Sequence, residues 1–244
     1  VYDSRVADGT SRSDQPGAIA RRSTREVSGS RGAGRSVRSA GRWQPPEGVG
    51  PDEIRRVIAA AATERDRLLM RALWATGGRV SEVRELRARD VRRDALVMPN
   101  RKNPSRPVKT VFMPAGQADL PGALLLWARD QGLADDEPLF YSRKRGADGR
   151  RQPLGRQQIH ALVTAASARA GVEVLAVRAA PSHGKGDPAP VHPHLFRHAR
   201  VRQTLRATRN LAIVQKQAGW SRLQMAYLTV GDDEVRAAMQ DVAE

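Results

Sequence analysis

Cysteine is absent from the 244-residue chain, which excludes disulfide scaffolds, cysteine-ligated zinc and iron–sulfur clusters. Long apolar runs are missing too: none approaches the roughly 18 residues of a membrane span. No basic start, apolar core and small-residue cleavage site marks a secretion signal. The expectation is a cytoplasmic protein with no membrane partner. Acidic residues are scarce, 26 Asp and Glu against 42 Lys and Arg, a formal charge of +16. That imbalance is unlike a near-neutral metabolic enzyme and points to a polyanion, nucleic acid first. A GC-rich coding bias also enriches Arg and Ala, but by itself it does not deplete Asp and Glu.

The scarcity of apolar residues is local. Residues 1–46 hold nine Arg against four acidic residues, with Ser and Gly between them. Such a segment cannot offset its ordering entropy, so it reads as a basic disordered tail. It would add phosphate contacts without reading base sequence, or serve only as a solvated extension. Residues 47–244 read as one folded domain. Pro51-Asp52-Glu53 opens a helix, with acids where the helix dipole favours them, and Ile54, Val57, Ile58 and Ala61 repeat at helical spacing. A second helix runs from Glu64 to Ala75 and stops at Gly77-Gly78; a third carries Val80, Val83 and Leu86 inward. Residues 95–98 and 108–113 read as two strands around a polar, Pro-containing turn, a hairpin. Helical periodicity returns over 124–128 and 159–170. Residues 178–191 read as a loop, two or three helices fill 193–240, and 231–244 suits a terminal helix. The sum is a mostly helical fold with one small sheet.

Three runs carry chemistry. In Thr76-Gly77-Gly78-Arg79-Val80-Ser81-Glu82, Arg79 follows a glycine break at the start of a helix. Backbone donors and the positive dipole there favour an anion, and a guanidinium fork suits phosphate; one surface arginine among many is the plain alternative. In His192-Pro193-His194-Leu195-Phe196-Arg197-His198, Pro193 fits a first helical turn and His194, Arg197 and His198 share a face. Imidazole beside guanidinium suits an anion and proton transfer. A histidine hydrogen-bonded in the interior, or a metal held by His192, His194 and His198, are the other readings; no nearby acid completes a usual ligand set. The third run, Ala218-Gly219-Trp220-Ser221 followed by Tyr227, says little alone.

Taken in order, the three runs resemble the tyrosine recombinase (phage integrase) family over residues 51–230. The family's Thr-Gly-x-Arg-x-Ser-Glu box is matched at residues 76–86, its His-x-x-Arg-His box at 194–198, and its Leu-Gly-His/Trp turn at 218–220. The resemblance implies an α+β, mostly α-helical fold, the DNA breaking–rejoining catalytic fold with a small antiparallel β-sheet. It implies site-specific recombination or integration for a mobile element, by cleavage and rejoining of double-stranded DNA through a 3′-phosphotyrosyl intermediate. No cofactor and no metal take part, and the protein works as an oligomer on DNA. Carried over by position, Tyr227 is the nucleophile, Arg79 and Arg197 bind the non-bridging oxygens, His194 assists proton transfer and Trp220 braces the phosphate. A hairpin lysine protonates the leaving 5′-oxygen; Lys102 at the turn is favoured over Lys109 in the second strand.

The chain departs from the family in two further ways. Tyr227 follows Trp220 by seven positions, a shorter interval than the family's, so a truncated or impaired member is part of the expectation. Residues 1–46 are too short and polar for the family's N-terminal core-binding domain, which is expected to be absent, and DNA binding is expected to be weak and salt-sensitive. A non-catalytic DNA-binding remnant of an integrase is the alternative function, and a metal-dependent nuclease using the histidines a third.

Overall fold

The computed structural model describes residues 49–101, 103–175, 188–222 and 240. The basic tail, Lys102, Tyr227 and most of the expected terminal helix lie outside the described residues. Helix α1 spans Pro51–Ala59 and buries Ile54, Val57 and Ile58, the stripe set by their spacing. Helix α2, Glu64–Thr76, starts where the Thr63 side chain accepts the Asp66 N–H and ends at Gly77 in the left-handed conformation (φ 56°). Leu68, Leu69, Met70, Ala72, Leu73, Trp74 and Ala75 are all buried, so α2 is buried nearly all round. It packs against α1, against α4 (Leu120–Asp130) and against α6 (Pro193–Thr208). A single-turn α3, Val80–Val83, follows the glycines, and Leu86 just beyond it is buried as expected.

The expected hairpin is present: β1, Ala95–Pro99, pairs antiparallel with β2, Val108–Phe112, with Leu96 opposite Val111 and Met98 opposite Lys109. Helix α5 spans Arg156–Arg169, and α7, Leu211–Ala218, follows α6 directly. Asn210 caps α7 by accepting the Ala212 and Ile213 N–H groups, and Gly219 ends it in the left-handed conformation (φ 68°). Val201, Val214, Ala218 and Trp220 form a small apolar cluster that fixes α7 on α6. No helix among the described residues is long and apolar enough to cross a membrane.

The mostly helical α+β fold class holds, but the strand inventory is larger than one small sheet. Two further antiparallel ribbons are present, β3 (Tyr141–Arg145) with β4 (Arg151–Pro153), and β5 (Glu173–Leu175) with β6 (Pro188–Pro190). The β3 sequence Tyr-Ser-Arg-Lys-Arg is partly or fully exposed, so it lacks the apolar alternation that signals a strand. Residues 188–190, read as loop because of their prolines, form β6, which among the described residues pairs with β5 alone; an edge is where proline is tolerated in a sheet.

Two glycines should respond oppositely to the same change. A Cβ on Gly78 would stand 2.8 Å from Met98 Cε, 2.9 Å from Thr76 Oγ1 and 2.9 Å from Val83 Cγ2, whereas one on Gly122 inside α4 meets nothing within 4 Å. By urea denaturation, Gly78→Ala should cost about 1–3 kcal/mol from overpacking, and Gly122→Ala should gain about 0.5–1 kcal/mol from helix propensity. Shifts of the same sign would show that the close packing behind Gly78 is not what constrains that turn.

Candidate active site

The turn between α2 and α3 is built by its own side chains. Thr76 Oγ1 donates to the Ala72 carbonyl (2.6 Å) and accepts the Gly78 N–H (2.9 Å). This holds the reversal that makes Arg79 the residue preceding α3. Glu82, in the first turn of α3, folds back on it: its carboxylate accepts the Arg79 backbone N–H (3.0 Å) and the Arg79 Nη1–H (2.9 Å). Its Oε2 also accepts from Lys109 Nζ on β2, at 2.9 Å. Glu82 is fully buried, and Lys109 is buried with it.

From Lys109 the network continues to the end of α7. The Ala218 carbonyl accepts both from Lys109 Nζ (3.3 Å) and from Arg197 Nη2 (3.3 Å). Arg197 also donates through Nη1 to the Gly77 carbonyl, 2.6 Å away and 120 positions earlier in the chain. Arg197 is 2 % exposed, with its Cζ 5.8 Å from the centroid of the buried Trp220 ring. Arg79 and Lys109 thus share the Glu82 carboxylate, and Arg197 joins them through the Ala218 carbonyl at the end of α7. Three cations to one anion leave a surplus of positive charge, and the Arg79 side chain is 20 % exposed.

The electrostatics reflect that crowding. Burial pushes the Glu82 carboxyl up, but the Lys109 charge and the hydrogen bonds from Arg79 and Lys109 outweigh it, and the net shift is downward. Lys109 is lowered, first by burial and then by the neighbouring Arg197 and Arg79 charges, with Glu82 acting the other way. The ion pair therefore holds one partner firmly charged, while burial and, after it, the surrounding guanidiniums make the other a readier proton donor than an exposed lysine.

Beside this knot lies a line of imidazoles. His160 of α5 stacks on His192 (centroids 6.0 Å), His192 on His194 (6.5 Å), and His194 meets His198 edge-on (4.4 Å). His192 is lowered to about 4 by burial and by the His194 and His160 charges. His198 is lowered to about 4 by burial and then by His194, Arg202, His192 and Arg197. Both are neutral at physiological pH. His194 is exposed, in the first turn of α6. Among the described residues, no group of three or more His, Asp or Glu side chains is placed to hold a metal ion.

A cleft of about 640 Å³ opens against the site, between the β1–β2 hairpin and α7, lined among others by Asn100, Arg106, Lys109, Lys216 and Trp220. Of the six residues picked out by sequence, Arg79, Arg197 and Trp220 are joined by the network through Glu82, Lys109 and the Ala218 carbonyl, His194 stands on the same helix as Arg197, and Lys102 and Tyr227 lie outside the described residues. Glu82 was not singled out. Its signal was faint: it stands three positions after Arg79, where a capping-box acid would be, but arginine rather than Ser or Thr holds the N-cap.

Comparison with known proteins places this arrangement. Residues 49–229 match the phage integrase family, and the chain belongs to that family. It is 29 % identical over 181 residues to tyrosine recombinase XerC of Xanthomonas axonopodis pv. citri, covering 72 % of this chain and 51 % of the relative. It is 24 % identical over 196 residues to transposase A from transposon Tn554 of Staphylococcus aureus, covering 75 % and 49 %. The chain therefore spans about half the length of these curated relatives. The fold is that of XerA recombinase (TM-score 0.60, 19 % identity, 82 % of this chain and 65 % of that one). It is shared with lambda integrase, solved as a tetramer bound to a Holliday junction (TM-score 0.52, 18 % identity, 74 % and 46 %).

Glu82→Gln should reveal the buried carboxylate through pH. A carboxyl held below its usual 4.5 in the folded state contributes stability that is fully present above that value and lost as pH falls through the folded value. At neutral pH the variant should lose about 3–5 kcal/mol, because buried Lys109 and half-buried Arg79 lose their counter-charge. The wild-type advantage in unfolding free energy should stay constant above about pH 4.5 and shrink below it. An advantage that grows on acidification would contradict the assignment.

Proposed function

We propose that this chain cleaves and rejoins double-stranded DNA by transesterification at a backbone phosphate, as a site-specific recombinase or integrase of a mobile element. The observation that carries the proposal is the gathering of Arg79, Lys109 and Arg197 around Glu82 and the Ala218 carbonyl. A phosphodiester anion repels a nucleophile until its charge is matched, and most charge develops on the non-bridging oxygens in the transition state. Guanidiniums fixed beforehand by buried hydrogen bonds need no reorganisation when that charge appears.

In this scheme Tyr227 Oη attacks phosphorus. The Tyr–O–P bond forms, the P–O5′ bond breaks, and a 3′-phosphotyrosyl linkage and a free 5′-hydroxyl result. His194 takes the phenolic proton, Arg79 and Arg197 hold the non-bridging oxygens, and Trp220 packs beside them. Lys102 gives its proton to the leaving 5′-oxygen. Lys109, bound to Glu82 and Ala218, supplies fixed positive charge. Attack by a 5′-hydroxyl from a partner strand reverses every bond change, so the number of ester bonds is conserved. An oligomer on DNA brings the two strands together. The interval of seven residues between Trp220 and Tyr227 favours the second reading, DNA binding without chemistry. Against an interval of nine in the family, the two missing residues amount to about 200° of rotation on a helix.

A duplex nicked close to the cleavage site, so that the short 5′-hydroxyl fragment diffuses away, tests the proposal. The chain should form a denaturant-resistant protein–DNA adduct, absent in Tyr227→Phe and slowed about 10²–10³-fold in Arg197→Ala. Lys102→Ala should be slow on normal DNA and restored by a bridging 5′-sulfur, since a thiolate leaves without a proton. Salt-sensitive binding with no adduct would overturn the catalytic reading in favour of the second.

A further inference from the structure

The wall of the cleft holds a polar atom that the fold itself does not use. Asn100, at the end of β1, is 3 % exposed. Its main chain is fully employed: its N–H donates to the Pro107 carbonyl (2.6 Å), and its carbonyl accepts the Asn103 N–H (3.1 Å). Its side-chain Oδ1 is buried and has no hydrogen-bond partner among the described residues. Leaving a buried amide acceptor unmatched is costly, and such an atom calls for a specific explanation.

Its surroundings supply one. A Cβ placed on Gly219 would lie 3.1 Å from Asn100 Oδ1, 3.1 Å from its Nδ2 and 2.7 Å from Lys109 Cδ. The amide is therefore packed on the turn that leads into Trp220, beside the stem of Lys109, and all four residues line one cleft. The wall combines a donor that only donates, Lys109, with an acceptor that lacks a donor. The complementary ligand group both accepts and donates. A hydroxyl does both; a phosphate diester oxygen only accepts.

Resting on the proposed function, we infer that Asn100 Oδ1 and the adjoining cleft form the binding site for the 5′-hydroxyl end of the DNA strand that is released and then rejoined. While the oxygen is esterified to phosphorus it carries no hydrogen and has nothing to give Asn100. Once protonated it donates to Oδ1, so the amide holds the cut end in the form competent for rejoining. No proton or bond changes hands at Asn100. The selectivity that follows is for a 5′-hydroxyl over a terminus lacking that hydrogen.

The test uses the full chain carrying a preformed DNA adduct, offered short complementary strands that end in a 5′-hydroxyl or, lacking only that oxygen, a 5′-deoxy carbon. The 5′-hydroxyl strand should half-saturate resealing at a concentration about tenfold below the inhibition constant of the 5′-deoxy strand. In Asn100→Ala the two values should converge. Thermal melting of the DNA-free protein should be unchanged or raised in Asn100→Ala and Asn100→Leu, because an unmatched acceptor has been removed. A persistent tenfold preference in Asn100→Ala, or melting well below wild type in both variants, overturns the inference and leaves the catalytic reading standing. Failure of the wild-type chain to form any adduct overturns that reading, and the inference with it.

Discussion

A buried carboxylate is tolerable only where cations and hydrogen-bond donors replace the water it has lost. Glu82 meets that condition with the Arg79 backbone and guanidinium and the Lys109 ammonium. In doing so it fixes α3 against β2. The Ala218 carbonyl repeats the device at the other end, joining Lys109 to Arg197 and hence β2 to α6 and α7. Elements far apart in sequence are thereby held by charge-assisted bonds at a single point. The apolar clusters on either side, one under α2 and one between α6 and α7, carry the bulk of the fold but do not by themselves set the orientation of any guanidinium.

The arrangement has a functional reading because its charges do not balance. A structural ion pair that served stability alone would be expected to neutralise itself, and often does no better than a well-packed apolar pair. Here a surplus of buried and half-buried cations, with Lys109 among them on the wall of a cleft, raises the free energy of the unliganded site, which falls when an anion arrives. His192 and His198, neutral at physiological pH, flank the exposed His194 at the start of α6.

Much of this was legible before any coordinates. The stop of α2 at Gly77, the start of α1 at Pro51 and the β1–β2 hairpin follow from local chemistry, namely caps, turn residues and short apolar runs. Arg79, Arg197 and Trp220 were found through ordered motifs that no single element reveals. The Glu82–Lys109 pair was not, because it spans 27 positions and exists only once β2 passes beneath α3. The strand pattern even argues against it: in Val108-Lys109-Thr110-Val111-Phe112, Lys109 and Val111 point inward while Val108 and Phe112 are exposed. A one-residue slip would have seemed equally good from hydrophobicity alone; the buried charge pair selects the register. The arginine-rich β3–β4 ribbon carries no periodic signal, and Asn100 is unremarkable until its burial is known.

The claim that Glu82 organises the site through Lys109 is tested most directly by a double-mutant cycle in equilibrium unfolding. Glu82→Gln, Lys109→Met and the combined variant are compared with the unsubstituted chain at neutral pH. A coupling of about 2–3 kcal/mol, with the double variant much less destabilised than the sum of the singles, is the predicted result. Additivity within about 0.5 kcal/mol would contradict it, and would mean that the two charges share a place in the fold without depending on each other.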